Sequence, residues 1–209
     1  PFSIGFRIEH PQGMVDRARW GRHAGNPLLG AADYKLVHHA RNGRAVYSFC
    51  MCPGGTVVAA TSELQRVVTN GMSQYSRNER NANAGMVVGI DPSDYPTDAA
   101  SFEAALGQEV GNAVRLDTLD TVDGFHPLAG MVLQRQLEAA AFIAGGSTYD
   151  APAQLVGDLL ADIASTALGS VEPSYKPGVR MTDLRHVLPA FAVDAMREAL
   201  PVFGRKIKG

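Results

Sequence analysis

An α+β fold is expected, with a mainly antiparallel β region over residues 1–90 and helices from residues 91–209 packed against it. Three observations predict it. Apolar and polar residues alternate at the start of the chain, Asn42-Gly43 sits between two strand-like runs, and after Asp91 alanine-rich segments carry apolar residues three and four apart. With 209 residues, 45% of them hydrophobic, the chain can bury a sizeable core, and residues 1–209 are read as a single domain.

The elements follow in order. Phe2, Ile4, Phe6 and Ile8 alternate with Ser3, Gly5 and Arg7, the period of a strand with one buried face, and His10-Pro11 ends it. Met14–Trp20 has the spacing for one or two helical turns before a loop over Gly21–Ala31. Tyr34–Ala40 and Ala45–Met51 flank Arg41-Asn42-Gly43-Arg44, which reads as a hairpin with a type I′ turn, since Asn and Gly both tolerate positive φ. Thr56–Thr61 and Arg66–Thr69 read as a second hairpin, Asn78–Asn83 as a polar loop and Ala84–Ile90 as a strand. Asp91, Pro92, Asp94 and Pro96 form a turn cluster. Helices are expected over Phe102–Val110, over Leu128–Ala144 with Pro127 as first residue, over Pro152–Ala161, and over Ala190–Leu200, where Pro189 opens the helix and Pro201 kinks or ends it. Ser165–Gly178, rich in Ser, Gly and Pro, reads as a loop.

Composition excludes several function classes. Nineteen Lys and Arg nearly balance 21 Asp and Glu, and the net charge of -2 offers no electrostatic basis for a nucleic-acid or anionic-membrane partner. The longest mostly apolar stretch, Leu137–Ala144, is far shorter than the roughly 18 residues of a membrane span. Two cysteines are too few for a disulfide scaffold, and with no secretory signal pattern they fit a reducing cytoplasm. The sequence opens on Pro1 directly in a strand pattern and stops just after the basic run Arg205–Lys208, so it is expected to be a piece of a longer protein.

Chemistry concentrates in a few places. In Cys50-Met51-Cys52-Pro53-Gly54-Gly55, two cysteines two apart on a strand share one face, so their thiols are expected side by side as a strained, labile redox pair or as substrate-facing groups. Pro53, Gly54 and Gly55 would let a planar ligand approach the backbone. The plainer alternative is two small side chains buried at a strand end. A zinc site would need two further ligands from the six histidines. None has a recognised ligand spacing, and His38 and His39 face opposite ways, so no metal is expected. Thr69-Asn70-Gly71-Met72-Ser73 and Arg77–Asn83 place Asn70, Gly71, Ser73, Arg77, Arg80 and Asn83 on two loops suited to orienting a carboxylate, a phosphate or a flavin edge. The alternative is turn chemistry, with Asn70-Gly71 and Asn81 left-handed. The sequence contains no Gly-x-Gly-x-x-Gly, Walker loop or Gly-x-Ser-x-Gly elbow.

Tyr47–Gly55, followed by Val57-Val58-Ala59-Ala60, Ser62-Glu63 and Val68–Ser73, resembles a family of large bacterial FAD-dependent oxidoreductases, the uncharacterised FAD-dependent dehydrogenases. Phe6–Gln12, Phe125-His126-Pro127, Gln134-Arg135 and Ser174–Val179 extend the resemblance over nearly the whole chain. Asp91–Asp123 carries no motif of that family. The resemblance implies an inserted, substrate-side domain that covers the flavin ring, with FAD-binding Rossmann halves before and after it in the same chain and a small molecule as substrate. It implies catalytic roles for Cys50 and Cys52, cofactor contacts from Pro53, Gly54, Gly55, Asn70, Gly71 and Ser73, and substrate contacts from Arg77, Arg80 and Asn83. It also implies that these 209 residues alone bind no FAD and are inactive, because the pyrophosphate site lies elsewhere. A non-catalytic interaction or assembly module is the competing expectation.

Overall fold

The computed structural model describes residues 2–107 and 126–207. Its centre is a four-stranded antiparallel sheet in the order β1-β6-β3-β2, built from β1 (Phe2–Pro11), β2 (Val37–His39), β3 (Ala45–Cys52) and β6 (Asn81–Ile90). β4 (Gly55–Ala59) and β5 (Thr69–Ser73) form a separate antiparallel hairpin, and β7 (Ala151–Ala153) and β8 (Val179–Met181) a short parallel pair. The helices are α1 (Gln12–Trp20), α2 (Ala99–Leu106), α3 (Ala129–Ala144), α4 (Val156–Ala161) and α5 (Ala190–Ile207). The expected α+β architecture, antiparallel sheet first and helices later, is what the chain adopts. No helix among the described residues is long and apolar enough to cross a membrane.

Alternation along the central strands decides which face is buried. Ala82, Ala84, Met86 and Val88 of β6 and Val46 of β3 face the core, and Ile4, Phe6 and Ile8 of β1 pack against it. α5 lies on this face with Ala192, Val193, Ala195, Met196, Ala199, Leu200 and Phe203 buried, a stripe at three- and four-residue spacing. That stripe explains why α5 runs through Pro201 to Ile207 instead of ending at Leu200. Each larger buried side chain contributes about 1.5–3 kcal/mol, against the roughly 3 kcal/mol that an interior proline costs. α2 and α3 meet over Phe102, Ala129 and Val132, and the C-terminal half of α3 meets the β4–β5 hairpin over Val57, Val67, Ala141 and Tyr175.

Several local expectations need correction. The turn between β2 and β3 is not type I′. Gly43 alone has positive φ, the Gly43 N–H donates to the Ala40 carbonyl, and the Ala40 N–H to that of Arg44, a three-residue loop ending in a left-handed glycine. The partner of β4 is Thr69–Ser73 rather than Arg66–Thr69, so the expected Asn70-Gly71 turn is extended strand. Asn81–Asn83 opens β6 instead of closing a loop. Pro152 lies in β7, not in a helix, and α4 starts only at Val156. α2 ends at Leu106 with Gly107 at φ 83 as its stop, after Asp98 caps its start; Val110, and the Asp91–Asp123 stretch beyond Gly107, lie outside the described residues. Pro127 precedes α3 by two residues and is not its first.

Candidate functional site

The alternation that sends Phe6 and Ile8 into the core sends Arg7 and Glu9 to the opposite face, which the β4–β5 hairpin partly covers. Arg7 is the hub there. Its Nε donates to Asn83 Oδ1 at 2.9 Å, its Nη2 to the Cys50 carbonyl at 2.9 Å and more weakly to Cys52 Sγ at 3.7 Å, and its Nη1 reaches Asn70 Oδ1 at 3.5 Å. In the sheet register Arg7 lies opposite Gly85, which in turn lies opposite Phe49. A row without a side chain on β6 therefore leaves room for Arg7 to cross to β3. Gly71 provides the space above: a Cβ there would come within 3.0 Å of both Arg7 Nη2 and Asn83 Oδ1. Four stretches far apart in sequence thus meet at one guanidinium.

Arg7's hydrogen-bond partners are two amide oxygens, a carbonyl oxygen and a thiol sulfur. Among the described residues no carboxylate pairs with it, and burial holds its pKa below the ordinary arginine value, with Cys52 and Cys50 opposing. It stays protonated, so the site carries a half-buried, uncompensated positive charge. Asn83 is fully buried, and its Nδ2 has no partner. Beside this pair, Glu9 accepts from Asn81 Nδ2 at 2.8 Å and from the Ser174 N–H at 3.1 Å, while Ser174 Oγ accepts from the Val57 N–H at 2.8 Å. His10 is buried against the Tyr34 hydroxyl at 3.3 Å. Burial pushes its pKa down, with Glu9 opposing, and pushes that of Tyr34 up.

The two thiols do not share a face. A bulge separates Phe49 from Cys52 in the pairing with β6, and Cys50 takes φ 43, so Cys50 is exposed while Cys52 is buried and donates its S–H to the Cys50 carbonyl at 3.2 Å. The strand alternation that would align them fails because the bulge inserts an extra residue between them. Pro53, Gly54 and Gly55 are buried, and the close backbone approach that the glycines permit is made with the chain's own backbone. Gly54, at φ 47, packs on the Arg77 carbonyl, its N–H donates to Gln12 Oε1 at 2.6 Å, and its carbonyl accepts from the Glu79 N–H at 3.2 Å. Ser73 Oγ donates to the Pro53 carbonyl at 2.9 Å.

Of the expected substrate residues, Asn83 reaches the hub. Arg77 takes the left-handed φ of 49 in the turn packed on Gly54, and Arg80 donates to the carbonyls of Glu172 at 3.3 Å and Pro173 at 3.0 Å. Arg7, Glu9 and Gln12 were not singled out by sequence reasoning, although all three lie in Phe6–Gln12. The signal for Arg7 and Glu9 is a charge on the strand face opposite Phe6 and Ile8, whereas Gln12 opens α1 and carries no such pattern. Glu63 and Arg135, from two other motif stretches, pair at 2.7 Å. Among the described residues no three His, Cys, Asp or Glu side chains come together as a metal site.

A family model described as "FAD-dependent protein, C-terminal domain-like" matches residues 1–209. A relative from Clostridium beijerinckii (strain ATCC 51743 / NCIMB 8052), described as an uncharacterized protein, is 43% identical over 209 residues. That alignment covers 100% of this chain and 34% of the relative, so the chain spans about a third of the length of the curated relative it matches.

Proposed function

Because the chain belongs to the family of FAD-dependent protein C-terminal domain-like sequences, we propose that it is the substrate-side domain of a cytoplasmic FAD-dependent oxidoreductase, a dehydrogenase acting on a small molecule. FAD-binding Rossmann halves before and after this inserted domain in the same longer protein would hold the cofactor, and the Arg7 hub would face its ring. The observation that carries this reading is the convergence of Cys50, Asn70 and Asn83 on the half-buried charge of Arg7, which has no counter-ion among the described residues.

The residues suit the ring edge of FAD and not its phosphates. Arg7 is a single desolvated cation next to exposed Cys50 and Asn70, whereas the sequence contains no glycine-rich phosphate turn. When bound, FAD supplies a hydride acceptor. Arg7 stabilises negative charge that develops beside it, with the greater effect because burial has removed competing water. Cys50 and Asn70, both exposed beside Arg7, would contact the ring edge. Cys52, Gly71 and Asn83 hold the guanidinium in place, while Pro53, Gly54, Gly55 and Ser73 fix the turn beneath it. Arg77 and Arg80 set the turn at 77 and the approach of the Glu172-Pro173 segment that border the substrate side.

Flavin content and anaerobic reduction of the longer flavoprotein test this. Arg7→Gln should keep the bound flavin and slow its reduction by about 10²-fold, the scale of one lost electrostatic donor. Cys50→Ser should slow it only if the thiol itself takes part. The isolated 209-residue chain should bind FAD weakly or not at all. Burial of Pro53–Gly55 by the chain's own backbone favours the rival reading, a non-catalytic assembly module, and an unchanged reduction rate in Arg7→Gln would establish that rival.

A further inference from the structure

We infer that Arg7 is the recognition point for a small-molecule carboxylate carrying a single negative charge, bound between Asn70 and the exposed Phe49-Cys50 bulge. The inference rests on the site described above and names the class of its ligand. An arginine removed from bulk water without a carboxylate partner is an incomplete ion pair, and a bound anion completes it. The open edge of the guanidinium is the Nη1 side, where among the described residues the only hydrogen-bond partner is Asn70 Oδ1 at 3.5 Å, a bond too long to compete with a charged acceptor. Asn70 is exposed, and its Oδ1 takes its short bond from the Gly71 N–H at 2.8 Å rather than from Arg7.

Charge and surroundings select a carboxylate over a phosphate. Among the described residues Arg7 is the one cation hydrogen-bonded within the hub: Arg80 is held by the Glu172 and Pro173 carbonyls and lies 3.7 Å from the Glu172 carboxylate. One guanidinium edge matches the two oxygens of a carboxylate. Phe49 and Met72, each 54% exposed, directly precede Cys50 and follow Gly71, and they offer apolar surface to the body of an organic acid.

The test uses the 209-residue chain in the absence of flavin and follows the Arg7 Nε–H signal and the amides of Cys50, Asn70 and Gly71 by NMR. Acetate, butyrate and inorganic phosphate are titrated at constant ionic strength. Saturable shifts are expected with both carboxylates, a few-fold tighter for butyrate, and no tighter for phosphate than for acetate. Asn70→Asp places a carboxylate within the chain beside Nη1, and should weaken acetate binding by at least about tenfold while raising the melting temperature. Arg7→Gln should abolish the shifts, and Asn70→Asp keeps the test decisive if Arg7→Gln fails to fold. No saturable shift, tighter phosphate binding, or wild-type titration in Asn70→Asp would overturn the inference. None of these readouts involves flavin, so their failure leaves the redox reading standing, and the converse holds.

Discussion

Gly54→Ala should be among the most damaging single-methyl additions in the β region. Gly54 has φ 47, a conformation that costs a residue with a Cβ roughly 1 kcal/mol relative to glycine. The added Cβ would sit within 3.0 Å of the Arg77 carbonyl oxygen and carbon, which are backbone and cannot rotate aside. Relief requires separating the two segments, which strains or breaks the buried bond from the Gly54 N–H to Gln12 Oε1 at 2.6 Å and that from the Glu79 N–H to the Gly54 carbonyl at 3.2 Å. Each is worth about 1 kcal/mol net, and more if a buried partner is orphaned. A total loss of about 3 kcal/mol follows, lowering the melting temperature by roughly 7 °C for a chain of this size. Thermal unfolding followed by circular dichroism measures it, with Gly89→Ala as control, since nothing lies within 4 Å of a Cβ there. A Gly54→Ala chain melting within about 1 °C of the wild type would refute the claim that this turn is held by internal backbone contact. Gly55→Val falls under the same argument, because its Cβ would crowd the Met72 carbonyl.

Other consequences can be measured in the same chain. Glu198 accepts from His38 Nε2 at 2.9 Å and from the Arg41 N–H and guanidinium, which hold its carboxyl down at about 2. A depressed carboxyl stabilises the fold above its ordinary pKa and loses that contribution as pH falls from about 4.5 to about 2, so Glu198→Gln should flatten the acid limb of a melting-temperature profile. Burial keeps His10 neutral, so its NMR titration midpoint should fall below 6.5, and the stability it contributes should be lost as pH drops through that midpoint. Arg44 forks onto Asp94 with two 2.6 Å bonds and stacks 4.5 Å over Phe191; Arg44→Lys loses the fork and should cost about 1 kcal/mol in a denaturant titration.

The architecture was legible where local pattern and tertiary packing agree. Alternation over Phe2–Ile8 and helical spacing over Ala190–Leu200 are both functions of which residues are apolar, and the buried layer between them follows. Legibility failed where a long-range contact overrode a local preference. Asn70-Gly71 has turn chemistry, yet its glycine is needed because the Arg7 guanidinium passes beneath an extended strand. Asn81 and Asn83 are poor strand formers that pair with β1, where Glu9 accepts from the Asn81 amide and Arg7 donates to Asn83 Oδ1. Pro201 stays inside a helix whose apolar stripe continues to Phe203. At the candidate site, the sequence singled out Cys50, Asn70 and Asn83 but not the arginine at which the structure brings them together. A lone arginine on a strand ordinarily lies on a solvated face, and only the hairpin folding over β1 turns Arg7 into a hub. The bulge at Cys50 left no signal, since nothing about a cysteine announces φ 43.

The most direct test of the account is the distance from the Arg7 guanidinium to the isoalloxazine ring in a structure of the longer, oxidised flavoprotein. The account predicts hydrogen-bond or van der Waals contact between the ring and the surface formed by Arg7, Cys50 and Asn70, with α3 and α5 farther away. A ring seated against α3 or α5, or separated from Arg7 by the β4–β5 hairpin, would contradict it.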